Sequence, residues 1–446
     1  MAEGRTVLVG GRASDTTADT PGAVAEIAIA DGLIAQVGSA AGQVERRGGD
    51  TVIDVDGDII TAGLVNTHHH LYQWMTRGRA TGCNLFDWLV TLYPVWAQLD
   101  VEDVLAAARV GLAELALSGC TTAADHHYLV PRGDDSVFDA IATAAAEVGI
   151  RLHLARGSMD LGESDGGLPP DHVVEDTESI LVSTERVIDR WHDGEMVVVT
   201  VAPCSPFSVS ETLMRESAAL ARRHGLKLHT HLAETREEEA DCLARFGQRP
   251  LAVLEEWDWV ASDVWYAHGV HFDDAEIARL AQAGAGVAHC PSSNARLAAG
   301  FCRTRDLRAA GVPVGLGVDG VASNEQGTLM TEMRQALWSA RQGTQDPAAL
   351  AAADALDMAT VGGANCLGRP DVGRLVPGAR ADLVVWPGED LADIPDPVEA
   401  LVFGPDRRAR LVFVGGQPVV QDGMLRGLDL AAARRDLAQR ARRLWP

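Results

Sequence analysis

The sequence predicts an α/β fold, a (β/α)8 barrel of the TIM type with a small β-sandwich that both chain ends build. Two observations lead to this prediction. Short β-branched segments alternate with helical segments through the centre of the chain, as in parallel strands joined by helices. Both chain ends hold strand-like segments without helical periodicity. Periodicity alone leaves a doubly wound sheet as the alternative for the central part.

The two chain ends, residues 1–60 and 371–446, are expected to form one composite domain. Its strand-like segments lie between turn residues, at Val7–Val9, Ala25–Ala30, Leu33–Val37, Val52–Val55, Ile59–Ile60, Gly373–Gly378, Ala381–Trp386 and Arg410–Val414. The last segment, Leu428–Leu444, is rich in alanine and arginine, and we expect a surface helix there. The barrel is then one insert, residues 61–370.

Eight strands and three helices with clear end signals are expected in this insert. The strands fall at Leu64–Thr67, Thr121–Ala124, Arg151–Ala155, Met196–Val201, Lys227–Thr230, Val264–Ala267, Gly286–Ala288 and Val312–Gly317. Three helices begin at a short polar residue and end at a glycine: Asp100 to Gly119, Ser210 to Gly225 and Asp273 to Gly284.

The longest loop-like segment, Gly162–Asp171, follows the third barrel strand. Loops at the C-terminal strand ends lie over the active face of such a barrel. We therefore expect either a lid over the site or a plain solvated loop.

The composition is that of a globular protein, with 47% hydrophobic and 23% charged residues among 446. Acidic residues outnumber basic ones, 63 to 38, and the formal charge of -25 opposes binding to phosphate backbones and anionic lipid. We expect neither a nucleic-acid polymer nor a membrane as partner. Met1–Arg5 lacks signal-peptide features, and no apolar run reaches about 18 residues. Seven scattered cysteines predict reduced thiols in a cytoplasmic protein, which we expect to form homo-oligomers.

Three consecutive histidines end the first barrel strand, within Gly63–Gln73. Side chains alternate across a strand, so His68 and His70 share one face and His69 lies on the other. Two imidazoles on one face form half of a metal site. A strand end with surface histidines is the alternative interpretation of this stretch alone.

Polar residues recur where later strands end, and the C-terminal strand ends of a barrel share one face. His231 ends the fifth strand, His268 the sixth and Asp319 the eighth. The earlier His229 is expected to be a buried core histidine. Three imidazoles and one carboxylate suit a divalent ion such as zinc or iron, with a position open for water. Such an ion lowers the pKa of that water toward neutrality and so generates a hydroxide nucleophile.

Two further residues are candidates for handling protons. Glu234 follows His231 by three residues, just beyond the strand, where it can hydrogen-bond a substrate ring nitrogen and pass protons. A surface carboxylate is its alternative. His268 is expected to orient the hydroxide, and a purely structural role is its alternative.

Taken together, these residues resemble the amidohydrolase superfamily, in its mononuclear nucleobase and triazine deaminase branch. The matching motifs, in chain order, are His68-x-His70, His231-x-x-Glu234, His268 and Asp319. The resemblance runs over nearly the whole chain, including Pro377–Val384 near its end. It implies a metal-binding enzyme that hydrolyses carbon–nitrogen bonds of cyclic amidines.

The resemblance also assigns roles by position. The implied metal ligands are His68, His70, His231 and Asp319. The implied catalytic groups are Glu234, which handles protons, His268, which orients the hydroxide, and Asp319. Binuclear relatives carry a bridging carboxylated lysine at the end of the fourth strand, whereas Val201–Phe207 contains no lysine. One metal ion is therefore expected, with zinc ahead of iron.

Substrate recognition is implied for Gln73, Glu234 and Cys204. Gln73 follows His70 by three residues, similar to guanine deaminases, in which the amide binds the carbonyl and nitrogen edge of the ring. Cys204 stands where those enzymes present an arginine, and it either lines the pocket or packs in the core. Segments that look like the 8-oxoguanine deaminases are His68–Gln73, Trp88–Trp96, Ser158–Ser164 and Gly166–Pro170.

Two other histidine-containing stretches lie at strand ends. His289–Asn294 resembles the family's turn after the seventh strand and is expected to shape the mouth of the site. His126 and His127 match no metal position and are expected to be structural.

The implied reaction is hydrolytic deamination of a free oxidised or aminated nucleobase. Conversion of 8-oxoguanine to urate and ammonia is the first expectation, with isocytosine and guanine as further substrates. The alternative is a triazine hydrolase or aminohydrolase of the hydroxyatrazine type, which releases an alkylamine or halide. A barrel that binds a heterocycle without catalysis is the remaining alternative, because fold alone does not establish function.

Overall fold

A computed structural model describes residues 4–14, 24–38, 43–131 and 133–444 of the chain. Its strands, in chain order, are β1 (Thr6–Ala13), β2 (Val24–Ala30), β3 (Leu33–Gly38), β4 (Thr51–Asp54), β5 (Ile59–Ala62), β6 (Leu64–Asn66), β7 (Cys120–His127), β8 (Arg151–Ser158), β9 (Val197–Pro203), β10 (Leu228–Leu232), β11 (Val264–His268), β12 (Gly286–His289), β13 (Val314–Leu316), β14 (Leu383–Trp386), β15 (Leu411–Val414), β16 (Gln417–Gln421) and β17 (Met424–Leu425).

Strands β6 to β13 close into a barrel in which every neighbouring pair is parallel. Each of the eight predicted barrel strands overlaps one of them, so the predicted (β/α)8 barrel is confirmed and the doubly wound alternative is wrong. Strands β7, β8 and β9 run two to three residues beyond their predicted ends, to His127, Ser158 and Pro203. Their extra residues reach the same face as the triple histidine.

The remaining strands form one nine-stranded sheet from both chain ends. Its two halves meet where β5 pairs with β14 in antiparallel register, from Ile59 opposite Trp386 to Ala62 opposite Leu383. A sheet shared by both ends, separate from the barrel, agrees with the sequence prediction. The sequence did not reveal β16 and β17, which complete its outer edge.

The predicted strand at Gly373–Gly378 is wrong. Gly373 and Gly378 have positive φ values of 71° and 88°, which break an extended strand. Pro377 between them has no amide hydrogen to donate. The segment turns instead, and the Gly378 amide donates to the Ile34 carbonyl at 2.8 Å.

The helices connect and cover the strands. In chain order they are α1 (Leu85–Trp96), α2 (Val101–Leu117), α3 (Ser136–Val148), α4 (Thr177–Trp191), α5 (Glu211–Arg223), α6 (Arg236–Phe246), α7 (Pro250–Glu256), α8 (Asp274–Ala283), α9 (Pro291–Arg296), α10 (Thr304–Ala309), α11 (Leu329–Thr344), α12 (Ala352–Asp357), α13 (Gly363–Leu367), α14 (Pro397–Phe403) and α15 (Leu430–Leu444). Single 3-10 turns occur at Leu71–Thr76, Glu163–Asp165, Asp171–Val173 and Glu389–Leu391, and a π turn at Met358–Gly362. None of the helices within the described ranges is long and apolar enough to cross a membrane.

The three predicted helix caps are confirmed. The side chains of Asp100, Ser210 and Asp273 each accept a hydrogen bond from an amide in the first turn of α2, α5 and α8. The predicted C-terminal helix also forms, as α15, and it packs against α2 of the barrel. Its buried residues there are Ala433 and Leu437.

An apolar cluster of barrel residues adjoins the histidines of the strand ends. Val65, Trp265 and Ala288 pack with residues of α13 in this buried cluster. Trp265 stacks on the ring of His229 with 4.4 Å between centroids. The histidines at the strand ends therefore rest on a packed apolar layer.

Candidate active site

The C-terminal ends of the barrel strands bring the predicted site residues together. His68 and His70 follow β6 directly, His231 lies in β10, and Asp319 follows β13. All four side chains are buried. His69 does not join them, because its Nδ1 accepts a hydrogen bond from the backbone amide of His70 at 2.8 Å.

The four predicted metal ligands are linked by close contacts, in which His70 meets His231 and Asp319, and Asp319 meets His68. His70 Nε2 lies 3.1 Å from His231 Nε2 and 3.4 Å from Asp319 Oδ1. His68 Nε2 lies 3.3 Å from the same carboxylate oxygen and makes no hydrogen bond. Ligand atoms placed tetrahedrally at about 2.0–2.1 Å from zinc are about 3.3 Å apart. The spacing therefore fits a divalent cation held by three imidazoles and a carboxylate.

Hydrogen bonds on the far side of each ring fix its tautomer. His70 Nδ1 faces the His126 carbonyl at 2.6 Å, and His231 Nδ1 faces the Cys204 carbonyl at 2.7 Å. A carbonyl only accepts, so both rings carry the proton on Nδ1 and keep a lone pair on Nε2. A metal ion is coordinated through that lone pair.

His68 reaches the same state through His229. His229 Nδ1 faces the Trp265 carbonyl at 2.9 Å and must donate to it. His229 Nε2 is then an acceptor for His68 Nδ1, at 2.8 Å. His68 Nε2 is left with a free lone pair. The predicted burial of His229 is confirmed, and its contact with His68 is a role that the sequence did not reveal.

Burial keeps the three imidazoles uncharged. Desolvation lowers the pKa of His68, His70 and His231, most strongly for His68 and His231. For Asp319, burial raises the pKa, but the close contact with His68 and the charge interactions with the neighbouring histidines outweigh burial and hold the pKa well below the usual range. Neutral imidazoles and an ionised carboxylate are the protonation states that bind a metal.

Glu234 and His268 face each other beside this cluster. His268 Nε2 lies 3.5 Å from a Glu234 carboxylate oxygen, and His268 Nδ1 lies 3.0 Å from the side-chain oxygen of Asn294. Burial raises the pKa of Glu234 to about 7. The Glu234 and Asp319 carboxylates outweigh burial and raise the pKa of His268. His268 also lies within reach of an ion bound by His68 and Asp319.

A tight turn presents Glu234 to the pocket. Ala233 has a positive φ of 54°, which directs the chain away from β10. The buried Glu238 carboxylate accepts hydrogen bonds from the amides of Ala233 at 2.9 Å and Glu234 at 2.8 Å. The first turn of α6 therefore holds the backbone of Glu234 in place.

The substrate pocket opens directly above the ligand atoms. Its walls contain the predicted Gln73, Cys204 and Glu234, together with four aromatic and three aliphatic side chains that the sequence analysis did not single out individually: Trp88, Tyr93, Tyr128, Phe207, Leu85, Leu89 and Leu297. Among the residues that the structure describes, no lysine or arginine lines it. Trp88 and Tyr93 belong to the Trp88–Trp96 segment that carried part of the resemblance, whereas no sequence signal pointed to Leu297.

Gln73 is held closely against the loop after β13. A side chain at Gly320 would place its Cβ 1.8 Å from the Gln73 amide oxygen and would displace that amide from its position. Cys204 contributes its backbone carbonyl to His231, while burial raises the pKa of its thiol to about 12 and keeps it protonated.

Helix α1, rather than the predicted lid segment, roofs the pocket. Leu85, Trp88 and Leu89 of this helix line it, and no residue of Gly162–Asp171 does. That segment bonds to itself instead, because the Ser164 amide donates to the Asp171 carboxylate at 3.0 Å. Residues 163–166 are exposed, as in a solvated loop, whereas Leu168 packs against the apolar cluster that contains Trp88 and Tyr93.

His126 lies closer to the site than its expected structural role suggests. Its ring stacks on that of His231 at 4.9 Å between centroids, and one ring nitrogen lies within reach of His68, His70 and His231. His126 Nε2 bonds the Ala202 carbonyl at 2.7 Å, while Nδ1 has no partner. His127 instead bonds the Leu129 carbonyl, in agreement with a structural role.

The turn after β12 acts behind the site and does not line its mouth. Ser293 Oγ donates to Asp319 Oδ2 at 2.5 Å, and Asn294 bonds His268. No residue of His289–Asn294 lines the pocket. The expected mouth-shaping role is therefore wrong.

Known proteins are similar to this chain over most of its length. An 8-oxoguanine deaminase of Pseudomonas aeruginosa is 48% identical over 93% of this chain and 94% of its own. A hydroxydechloroatrazine ethylaminohydrolase of Pseudomonas sp. strain ADP is 38% identical over 86% and 83%. The crystal structure of an atrazine chlorohydrolase from Arthrobacter aurescens TC1, complexed with zinc, is 31% identical and superimposes with a TM-score of 0.92 over 98% and 100%.

The family model agrees with these likenesses. The model of the amidohydrolase family matches residues 59–427, which include the complete barrel and the sheet strands β14 to β17. The chain therefore belongs to the amidohydrolase family.

Proposed function

We propose that the protein removes an amino group from a free oxidised nucleobase by hydrolysis, converting 8-oxoguanine to urate and ammonia. The observation that carries this proposal is the placement of Glu234, His268 and Asp319 around one pocket that also contains Gln73. The 48% identity to an 8-oxoguanine deaminase supports the choice of substrate. Membership of the amidohydrolase family supports hydrolysis of a carbon–nitrogen bond.

One divalent ion, held by His68, His70, His231 and Asp319, is part of this proposal. Three nitrogen donors and one carboxylate oxygen suit zinc, with iron second. The zinc in a related crystal structure supports that order. When bound, such an ion acts as a Lewis acid and lowers the pKa of water toward neutrality.

The residues around the pocket move the protons. Glu234, whose pKa of about 7 leaves it partly protonated at neutral pH, donates to the ring nitrogen beside the amino-bearing carbon. His268 orients the attacking water through Nε2. Asp319 takes a proton from that water as its oxygen bonds to the carbon, and delivers it to the amino group. The carbon–nitrogen bond then breaks and ammonia leaves. The remaining hydroxyl gives its proton back to Glu234, and a carbonyl group remains.

The rest of the pocket recognises a flat, uncharged ring. The Gln73 amide provides both a donor and an acceptor for a carbonyl and nitrogen edge. Aromatic walls suit stacking, and Cys204 takes a neutral place where an arginine would add charge. Since no lysine or arginine is found among the described residues of the lining, the pocket offers no basic side chain to a phosphate group, which favours free bases over nucleotides.

A rate comparison tests the substrate assignment. We expect kcat/KM to be highest for 8-oxoguanine among 8-oxoguanine, guanine, isocytosine and a hydroxylated triazine. Ammonia release and the absorbance of urate measure it directly. A metal-replete, folded protein that is inert toward all four would contradict enzymatic deamination and favour a binding role.

Hydrolysis of a substituted triazine is the second candidate. The aliphatic residues Leu85, Leu89 and Leu297 in the pocket suit an N-alkyl group, and the 38% identity to an ethylaminohydrolase supports the same reading. Faster release of ethylamine from a hydroxylated ethylaminotriazine than of ammonia from 8-oxoguanine would select it.

We also propose the cellular setting and the domain division. All seven cysteines are unpaired, which supports the reducing cytoplasm. A homo-oligomer remains part of the proposal, and light scattering measures its mass. We place the domain boundaries at residues 60 and 371, so that the terminal domain comprises 1–60 and 371–446 and the barrel 61–370.

A further inference from the structure

The two carboxylate oxygens of Asp319 have different surroundings. Oδ1 faces the metal-binding nitrogens of His68 and His70 at 3.3 and 3.4 Å. Oδ2 lies within hydrogen-bond distance of two hydroxyl groups, Ser293 Oγ at 2.5 Å and Ser323 Oγ at 3.1 Å. The Ser323 hydroxyl also lies 3.1 Å from the Gly320 carbonyl, so its single proton is shared between two acceptors. A carboxylate can bind a metal through one oxygen or both. These hydroxyls therefore influence whether Asp319 binds a metal through one oxygen or through both.

The hydroxyls come from two turns that meet behind Asp319. Ser293 belongs to α9, after β12, and Ser323 lies in the loop after β13. Their oxygens are 2.9 Å apart, and both side chains are fully buried. Water has no access to replace them, so losing either hydroxyl would leave Oδ2 short of a partner.

Glu332 of α11 ties the two turns together. One of its oxygens accepts from the Ser292 amide at 3.0 Å, and the other from the Asn324 side-chain amide at 2.8 Å. Ser292 precedes Ser293, and Asn324 follows Ser323. The buried Glu332 carboxylate thus holds the immediate neighbour of each hydroxyl.

We propose that Ser293 and Ser323 are positioning residues that occupy Oδ2 of Asp319, so that Oδ1 is the oxygen that faces both the metal and the attacking water. Their own placement depends on Glu332. The inference rests on the proposed function for the role of Asp319 as a metal ligand. Its consequence is an ion bound by one Asp319 oxygen, with a coordination position kept for water. If Oδ2 were released, both oxygens would turn to the ion and fill that position.

The test uses the full-length protein loaded with Co²⁺, whose visible absorption weakens as its coordination number rises. We expect the double variant Ser293→Ala/Ser323→Ala to absorb more weakly than the wild type. Because outer partners of a metal site typically contribute about 10–100-fold, we expect kcat with zinc to fall by that factor while KM changes little. Glu332→Gln replaces one acceptor by a donor, and we expect a smaller change in the same direction.

Matched variants separate positioning from a general loss of packing. The single variant Ser293→Thr keeps the hydroxyl and should show the wild-type spectrum and the wild-type kcat. Ser217→Ala removes a buried hydroxyl of α5 that has no partner and should change neither. Should the double variant fail to fold, the single variant Ser323→Ala and the Ser293→Thr rescue give the same comparison.

The outcomes also separate this inference from the proposed function. A wild-type spectrum and wild-type kcat in the double variant would overturn the positioning role while deamination stands. The expected spectral change in a protein that deaminates nothing would support the positioning role while the proposed function fails. The spectrum requires no substrate, so the two results are independent.

Discussion

At the scale of single residues, the positions of protons on imidazole rings determine what the histidine cluster can bind. Each ring donates from Nδ1 to a fixed acceptor and keeps Nε2 free. The sequence predicted that His68, His70, His231 and Asp319 meet, because strand ends of a barrel lie at one face. It did not predict that His229 completes the set, since that contact joins side chains 161 residues apart and depends on ring orientation.

Glu234 and His231 are expected to separate catalysis from metal binding. Glu234→Gln removes the proton donor but no proposed ligand, so turnover should fall at least about 10³-fold with metal content unchanged. His231→Ala should lose both. Metal analysis and ammonia release on the same samples measure the two effects. Near-normal turnover in Glu234→Gln would remove this residue from the mechanism.

His229 is expected to affect metal affinity without touching the ion. His229→Leu removes the acceptor for His68 Nδ1, so the tautomer of His68 is no longer fixed, and affinity should fall about 10–100-fold. Competition with a chelator measures it. His153→Leu is the matched control, since His153 is a buried histidine of β8 whose ring nitrogens have no partners. Equal losses in both variants would show that only packing is involved.

At the scale of elements, the sequence predicted where the barrel strands lie but not which connecting segment covers the pocket. All eight barrel strands were found because apolar β-branched segments recur between helices with readable caps, such as Asp273 at α8. The ends of β7 to β9 were missed because their last residues are polar or proline. Such residues interrupt the apolar β-branched pattern that predicts a strand. The roof of the pocket was missed because α1 covers the site through packing, and sequence spacing does not encode which loop folds over it.

The turn between β10 and α6 carries an element-scale prediction. Glu238→Ala leaves the amides of Ala233 and Glu234 without acceptors, so the backbone that presents Glu234 should lose its fixed position. We expect kcat to fall about 10–100-fold, with zinc affinity unchanged, because His231 keeps its own bond to Cys204. Steady-state rates with zinc titration measure both. Unchanged kcat would show that Glu238 does not position Glu234.

At the scale of the whole molecule, the nine-stranded sheet and the barrel are joined by a buried ion pair. Arg151 of β8 donates to both oxygens of Asp382, at 2.7 and 3.1 Å, and both side chains are buried. The sequence predicted both units. It did not predict this link, because the partners are 231 residues apart.

Breaking that pair tests the connection. Asp382→Ala leaves the Arg151 guanidinium buried without its counter-charge, which typically costs about 3–5 kcal/mol. We expect the free energy of unfolding, measured with urea, to fall by that amount. Arg186→Ala removes an exposed pair with Asp135 and should cost no more than about 1 kcal/mol. Equal losses in the two variants would contradict a special contribution from the buried pair.

The central claim is that one ion, held by three histidines and Asp319, enables the removal of an amino group. Its most direct test adds zinc in steps to metal-free protein and follows ammonia release from 8-oxoguanine. We predict that the rate rises in proportion to zinc up to one equivalent per chain and then stays constant, with urate and ammonia formed in equal amounts. No release at any zinc level, or a rise that continues to two equivalents, would contradict the claim.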